Sequence, residues 1–200
     1  MDWNTRYESE DYLFGTAPTP FVTRHAAHLP EAADLLAVAD GEGRNSVWLA
    51  QQGHQVSAFD ISDNALAKAQ RLAEAADVTV SFVRAGIDDW DWQAPRYDAI
   101  AAIFIQFMGP EPRAALFQRF DRVLRPGGVL LLHGFAPRQV GYGTGGPPHV
   151  EKMYTLDLLR QSFPDYAVLA EADYDEEISS GRGHNGVAGL IDFVAQKPGN

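Results

Sequence analysis

The chain has 200 residues, 46 % of them hydrophobic and 22 % charged, which suits one domain with a sizeable core. Its 27 acidic and 16 basic residues leave a formal net charge of −11, a surface that repels phosphate backbones, so a small molecule is the expected partner and nucleic acid is not. There is no cysteine, which removes disulfides, thiolate nucleophiles and cysteine-based metal sites together.

The opening MDWNTRYESEDY has no apolar signal-peptide core, and no run approaches the roughly 18–20 apolar residues of a membrane span. The expectation is a cytoplasmic protein with no membrane partner, a monomer or homodimer. Residues 35–39 (LLAVA) read as a strand ending at a glycine-rich turn, 45–52 as a helix and 54–59 as the next strand, closed by Asp60. Ser62 is a good helix cap, and Leu66, Ala69, Leu72, Ala73 and Ala76 follow at helical spacing. Residues 78–83 (VTVSFV) alternate as a strand does. After a turn with Trp90 and Trp92, residues 97–105 are nearly continuous in apolar side chains, as in a central strand buried on both faces.

Pro110 and Pro112 open a helix with the stripe Leu116, Phe117, Phe120, Val123 and Leu124. Pro126-Gly127-Gly128 breaks it, and 129–132 (VLLL) is another buried strand. The loop GYGTGGPPH then leads to a helix over about 155–163, and strands at 166–171 and 186–195 are joined by an acidic, then glycine-rich stretch. This order predicts an α/β fold: a doubly wound, Rossmann-like, mostly parallel seven-stranded sheet with a C-terminal antiparallel hairpin and helices on both faces.

In such a sheet ligands bind beyond the carboxyl ends of the strands, where the strand order reverses. Three pieces lie at such ends. Asp40-Gly41-Glu42-Gly43-Arg44-Asn45 lets backbone approach a ligand closely and starts a helix with free N–H groups. Asp60, 17 residues past Gly43, offers a carboxylate to the two hydroxyls of a ribose. Gly86-Ile87-Asp88 follows the third strand and offers Ile87 to an adenine. Gly41-x-Gly43-x-x-Ser46 also imitates a weak dinucleotide fingerprint, and a nicotinamide-dependent oxidoreductase is one alternative, but the terminal hairpin argues against it.

The stretches LLAVADGEGRNSVWLA, VSAFDIS, FVRAGIDDW, YDAIAAIF and LRPGGVLLL, over about residues 34–134, resemble the class I S-adenosylmethionine-dependent methyltransferases. WNTRYESEDYLFGTAPTPFV looks like the branch near the tellurite-resistance and thiopurine-type enzymes. The resemblance implies a single methyltransferase domain: a lid over 1–30, a cofactor core over 34–134, an acceptor-side loop and helix over 135–165, and a closing hairpin over 166–197. It implies an enzyme that binds S-adenosylmethionine and methylates a small acceptor, a thiol, a chalcogen oxyanion or similar. Cofactor contacts are implied at Ala39, Asp40, Gly41, Gly43, Arg44, Asn45, Asp60, Ile61, Gly86, Ile87, Asp88 and Ile103. Trp3, Tyr7, Phe14 and Gly15 are the corresponding lid residues.

The chain departs from the family pattern in three places. Ala37 stands where an acidic residue is expected and Ala39 where the first glycine is, leaving Asp40 three positions beyond the expected acid; Gly86 stands where an aspartate often holds the adenine amino group. A non-catalytic S-adenosylmethionine-binding protein is the alternative that this eroded turn motivates.

Methyl transfer is an in-line displacement that needs alignment and exclusion of water, and proximity alone contributes roughly 7–11 kcal/mol in favourable cases. A base is needed only when the acceptor must lose a proton. The acceptor is expected among the lid, Ile105-Gln106-Phe107 and residues 134–149, with Arg138 as an anion ligand and Tyr142 and His149 as proton-handling candidates. His133 and His184 lie near strand ends, the former read as structural, the latter as a weak candidate; His25, His28 and His54 read as surface or packing residues. No metal-ligand spacing occurs, and the acidic stretch 171–177 reads as a solvated hairpin edge.

Overall fold

A computed structural model of the chain describes residues 2–93 and 96–199. One sheet of seven strands has the order β3-β2-β1-β4-β5-β7-β6. Strands β1 (Asp34–Val38), β2 (Gln55–Asp60), β3 (Ser81–Arg84), β4 (Tyr97–Ile103) and β5 (Leu124–Phe135) are parallel. Strands β6 (Ala167–Ser180) and β7 (His184–Gln196) form an antiparallel hairpin, with β7 against β5.

Alternation along the strands sends side chains to two cores. Leu36, Ile100, Leu130 and Leu132 pack with α5 (Pro110–Val123) and α7 (Leu156–Ser162). Leu35, Ala37, Ala99 and Leu131 pack on the other side with α2 (Pro20–His25), α3 (Arg44–Gln51) and α4 (Asp63–Ala75). Each large side chain fully buried in this way contributes about 1.5–3 kcal/mol. Ser62 caps α4 by accepting the Ala65 N–H, and Thr155 caps α7 by accepting the Leu158 N–H. Two short helices, α1 (Trp3–Arg6) and α6 (Gln139–Tyr142), belong to the loops around the strand ends.

Three elements differ from the sequence expectation. β3 begins at Ser81 rather than 78, because Asp77 takes a φ of +54° and Val78 bonds back to Ala73, so the apolar 78–80 stretch belongs to the connection from α4. β5 begins at Leu124, before the Pro126-Gly127-Gly128 turn: Leu124 pairs with Tyr97, the register shifts, and pairing resumes at Val129 with Ala99. β6 runs to Ser180 through the acidic stretch read as a connection. It is an edge strand whose outward carboxylates hide the apolar alternation and discourage pairing with another edge.

Candidate active site

Ala39 follows β1 with a φ of +47°, and Gly41 and Gly43 follow at +65° and +86°. The position expected to be glycine therefore keeps a glycine backbone while carrying a Cβ. The two remaining glycines serve different contacts. A Cβ on Gly43 would lie 2.8 Å from the Ala69 Cβ of α4, and one on Gly41 would lie 3.0 Å from the Tyr7 hydroxyl. Phe104, just past β4, has a φ of +56°. Ala39 and Phe104 thus flank the reversal of strand order between β1 and β4, two side-chain-bearing residues held in a conformation that costs about 1–2 kcal/mol. Packing holds Phe104 there, with His133 and Phe135 at 4.7 Å and His184 at 5.0 Å between ring centroids.

Two carboxylates meet this turn. Asp60 accepts the Gly41 and Ser62 N–H groups, each at 2.9 Å; burial pushes its carboxyl up, and the N–H groups of Ser62, Gly41 and Ile61 oppose that rise. Asp40 is bonded by the Ser46 hydroxyl, and burial pushes it up to about 6, with Asp60 adding to the rise. A pyrophosphate here would face two acids. A ligand with cationic groups and a ribose fits them, and S-adenosylmethionine carries a sulfonium, an ammonium and a ribose.

Beyond β2 and β3, Ile61 is 54 % exposed and lies over Gly86, where a Cβ would be 3.6 Å from the Ile61 Cδ1. The Ile87 carbonyl accepts the Trp92 indole N–H at 2.7 Å and an Arg119 guanidinium N–H at 3.1 Å, and Asp88 pairs with Arg119 at 2.7 Å. These bonds fix the loop beside the exposed Ile61. Trp90 and Trp92 grip Phe59 from two directions, stacked at 4.6 Å and edge-on at 5.9 Å, because their segment is a turn rather than extended. Ile103 is half-buried at the end of β4.

The N-terminal segment covers the turn. Glu42 accepts the N–H groups of Leu13 and Phe14, and Lys68 donates to the carbonyls of Ser9 and Asp11. Arg44 donates to the Phe14 carbonyl at 3.1 Å, and the Asn45 side-chain oxygen accepts the Thr19 N–H at 2.9 Å. Arg44 and Asn45 thus bond the N-terminal segment directly. Trp3 stacks on Tyr7 and Tyr7 meets Phe14 edge-on, while Gly15 takes a φ of +72°. The hairpin tip completes the cover: the Leu13 carbonyl accepts the Arg182 and Gly183 N–H groups, and Gly183 sits against the Phe14 ring where a Cβ would clash.

The three catalytic candidates lie elsewhere in the bonding scheme. Arg138 is tied to Asp173 at 2.5 Å, Asp175 at 2.6 Å and the Tyr174 carbonyl. Tyr142 donates to Asp175 at 2.9 Å. His149 is exposed, 3.7 Å from Glu151. Gln106 is not open to an acceptor either, since its amide bonds both the N–H and the carbonyl of Phe135.

Sequence reasoning missed Glu42 and Lys68, although a lysine between Ala65 and Ala69 on the apolar stripe of a helix signals a buried charge. It also missed Asp192, which bonds His133 at 2.7 Å and His25 at 3.3 Å. Burial pushes the Asp192 carboxyl up, but His133, His25 and Arg24 together hold it below its ordinary value. Among the described residues no group of acidic and histidine side chains is arranged to hold a metal, and no helix is long and apolar enough to cross a membrane.

With this geometry in view, comparison with known proteins finds a methyltransferase-domain family model matching residues 35–128. The chain is 28 % identical over 183 residues to the tRNA 5-carboxymethoxyuridine methyltransferase of Escherichia coli (strain K12), covering 84 % of this chain and 67 % of that protein. It is 28 % identical over 193 residues to the glycine/sarcosine N-methyltransferase of Parasynechococcus marenigrum (strain WH8102), covering 84 % and 63 %. A solved structure from work on the conversion of a disulfide bond into a thioacetal group during echinomycin biosynthesis has the same fold, with a TM-score of 0.77, 19 % identity, and coverage of 98 % of this chain and 89 % of that one. The matched methyltransferase domain and these relatives identify an S-adenosylmethionine-dependent methyltransferase, and the solved structure shares its Rossmann-like fold. Its cofactor is S-adenosylmethionine, whose sulfonium supplies an activated methyl group.

Proposed function

We propose that the enzyme methylates a small acceptor carrying a negative charge, such as a thiol-bearing acid, a chalcogen oxyanion or an amino acid. The observation that carries this is the pair of guanidiniums on the Phe14 ring: Arg6 lies 5.8 Å and Arg44 5.9 Å from its centroid, in a chain of net charge −11. Cations gathered at one place in an acidic protein attract an anion there. Both curated relatives, by name, act on groups that bear a carboxylate, carboxymethoxyuridine in one and glycine or sarcosine in the other. The N-terminal motif supports a place near the tellurite-resistance and thiopurine-type branch, and the absence of a membrane-spanning helix among the described residues fits a cytoplasmic enzyme.

In this reading residues 1–30 cover the site, 34–134 hold the cofactor, 135–165 flank the acceptor and 166–197 close the sheet. Asp60 takes the ribose, Ile61 and Ile87 take the two faces of the adenine over Gly86, and Asp88 lies at its edge. Asp40 faces the ammonium beside the backbone of Ala39, Gly41 and Gly43, and Arg44 is shared between the carboxylate of the cofactor and the anionic group of the acceptor. Ile103 lines the floor, and Trp3, Tyr7, Phe14 and Gly15 exclude water, with Asn45 anchoring that cover.

The test is S-adenosylhomocysteine formation with glycine, 3-mercaptopropionate and tellurite, each against an uncharged analogue, and with bulk tRNA. The proposal expects the charged acceptor of a pair to be preferred. The tRNA relative favours a second reading: turnover with tRNA alone, falling steeply with salt as phosphate contacts do, overturns the small-acceptor proposal. Cofactor binding without turnover on any of them favours a non-catalytic binding protein.

A further inference from the structure

We propose that His184 faces the acceptor, its Nδ1 taking a hydrogen bond and then the proton from the nucleophilic N–H, S–H or O–H group. The inference rests on the methyltransferase reading. His184 is the first residue of β7, at the hairpin tip, and is 7 % exposed. Its Nδ1 is buried with no hydrogen-bond partner among the described residues. Buried polar atoms in folded proteins are almost always paired, and of the three unpaired ones among the described residues (Thr19 Oγ1, Trp90 Nε1 and His184 Nδ1) only the last can take up a proton.

The surroundings say which side of the site this is. The ring lies 4.6 Å from Phe14 of the cover, 5.0 Å from Phe104 at the end of β4 and 5.1 Å from Phe135 at the end of β5. Gly145 closes over it, where a Cβ would come within 2.8 Å of the His184 Cδ2. His184 is therefore held between the cover and the carboxyl ends of the central strands, opposite the place proposed for the adenine at β2 and β3. Two other proton-handling candidates are already paired. The His133 Nδ1 is bonded to Asp192, and the Tyr142 hydroxyl to Asp175.

The charged and titratable groups that face the ring are Arg44 of α3, Arg6 of α1 and His133 of β5. Burial first, and then these three, push the His184 imidazole down to about 3. The resting ring is therefore neutral, with its Nδ1 lone pair open to a hydrogen bond, and the negative charge of an acceptor bound beside Arg6 and Arg44 offsets their effect and raises the basicity of the ring. As the acceptor atom bonds to the methyl carbon, the carbon–sulfur bond breaks and its electron pair stays on sulfur. The proton leaving the acceptor goes to the His184 Nδ1. The resulting imidazolium beside two guanidiniums passes its proton to water when the cover opens. An acceptor that is protic and neutral at its nucleophilic atom needs this group; one already ionised there does not.

The experiment compares wild type with His184→Asn and His184→Gln. An asparagine amide reaches the position of Nδ1, and a glutamine amide that of Nε2. With S-adenosylhomocysteine bound, glycine or 3-mercaptopropionate is titrated while the imidazole ¹⁵N signal of His184 is followed by NMR, assigned by its loss in the variants. We expect a probe-dependent shift of that signal, and probe affinity at least about tenfold weaker in His184→Gln but within about threefold in His184→Asn, as for loss of one buried hydrogen bond. Affinity for S-adenosylhomocysteine should stay unchanged in both. An unmoved signal with both probes overturns the proposal. So does a His184→Gln probe affinity within about twofold of wild type, or a parallel loss of cofactor affinity. Failure of the wild type to bind S-adenosylhomocysteine overturns the methyltransferase reading itself.

Discussion

Glu42 and Lys68 form an ion pair 2.5 Å long with both side chains 3 % exposed, and each also bonds the N-terminal segment. One pair thus joins the glycine turn, α4 and the cover. Removing one partner of such a pair leaves a buried charge, which costs about 3–5 kcal/mol. Lys68→Met should lower stability in urea by about that much. It should also raise proteolysis within residues 9–14. Unchanged cleavage there would show that the cover does not depend on the pair.

Ala39 holds a glycine conformation. Ala39→Gly should relieve a left-handed strain of about 1–2 kcal/mol, less the extra freedom that glycine gives the unfolded chain, for a net gain of about 0.5–1 kcal/mol. The midpoint of chemical denaturation measures this directly, and a loss of stability would mean that the Cβ makes a compensating contact.

Asp60→Ala should weaken S-adenosylmethionine binding by about 1.5–3 kcal/mol, the range for hydrogen bonds to a charged group. Calorimetry gives the number. Because Asp60 also holds the Gly41 and Ser62 N–H groups, a melting curve of the free variant separates ligand contact from turn collapse.

Burial places Asp40 near 6 in the fold, above its ordinary 3.8. The stability that its protonated form provides is complete below about 3.8 and lost as pH rises through about 6. A cation at the turn favours the ionised form instead. Cofactor affinity should therefore rise between pH 5 and 7, by at most about tenfold per unit, with protons released on binding below about pH 6. Asp40→Asn should flatten that profile; a wild-type profile flat to begin with removes Asp40 from the site.

Arg138 and Tyr142 serve as ties between the loop after β5 and β6. Tyr142→Phe should leave kcat within about twofold and barely move the denaturation midpoint, since the contact it removes is an exposed one. A tenfold loss of kcat with intact stability would restore Tyr142 as a proton-handling residue.

The sheet was legible because its interior strands carry it: 99–103 and 129–132 are apolar on both faces, and glycine or proline close to their ends keeps them too short for helices. The turn after β1 was legible because its left-handed backbone at Gly41 and Gly43 restricts residue type within a short stretch, and Asp60 was legible as the residue that closes β2 beside it. The edges were not. β6 alternates carboxylates with half-buried residues, a pattern that composition cannot separate from a charged loop. Glu42 with Lys68, and His184 with Phe14 and Phe104, are meetings of residues 26 to 170 positions apart, and local periodicity contains no term for them. The histidine that ends in the cover reads in sequence as one of six scattered rings.

The bonds between Leu13 and the hairpin tip join the N-terminal segment to the C-terminal hairpin, over the place proposed for the acceptor. Nothing enters or leaves by that route while the Leu13 carbonyl holds the N–H groups of Arg182 and Gly183. If the acceptor binds beneath these bonds as proposed, exit of the methylated product requires a local opening of the two segments, of the kind that low denaturant favours. If that opening limits the cycle, dilute urea speeds turnover before it unfolds the enzyme.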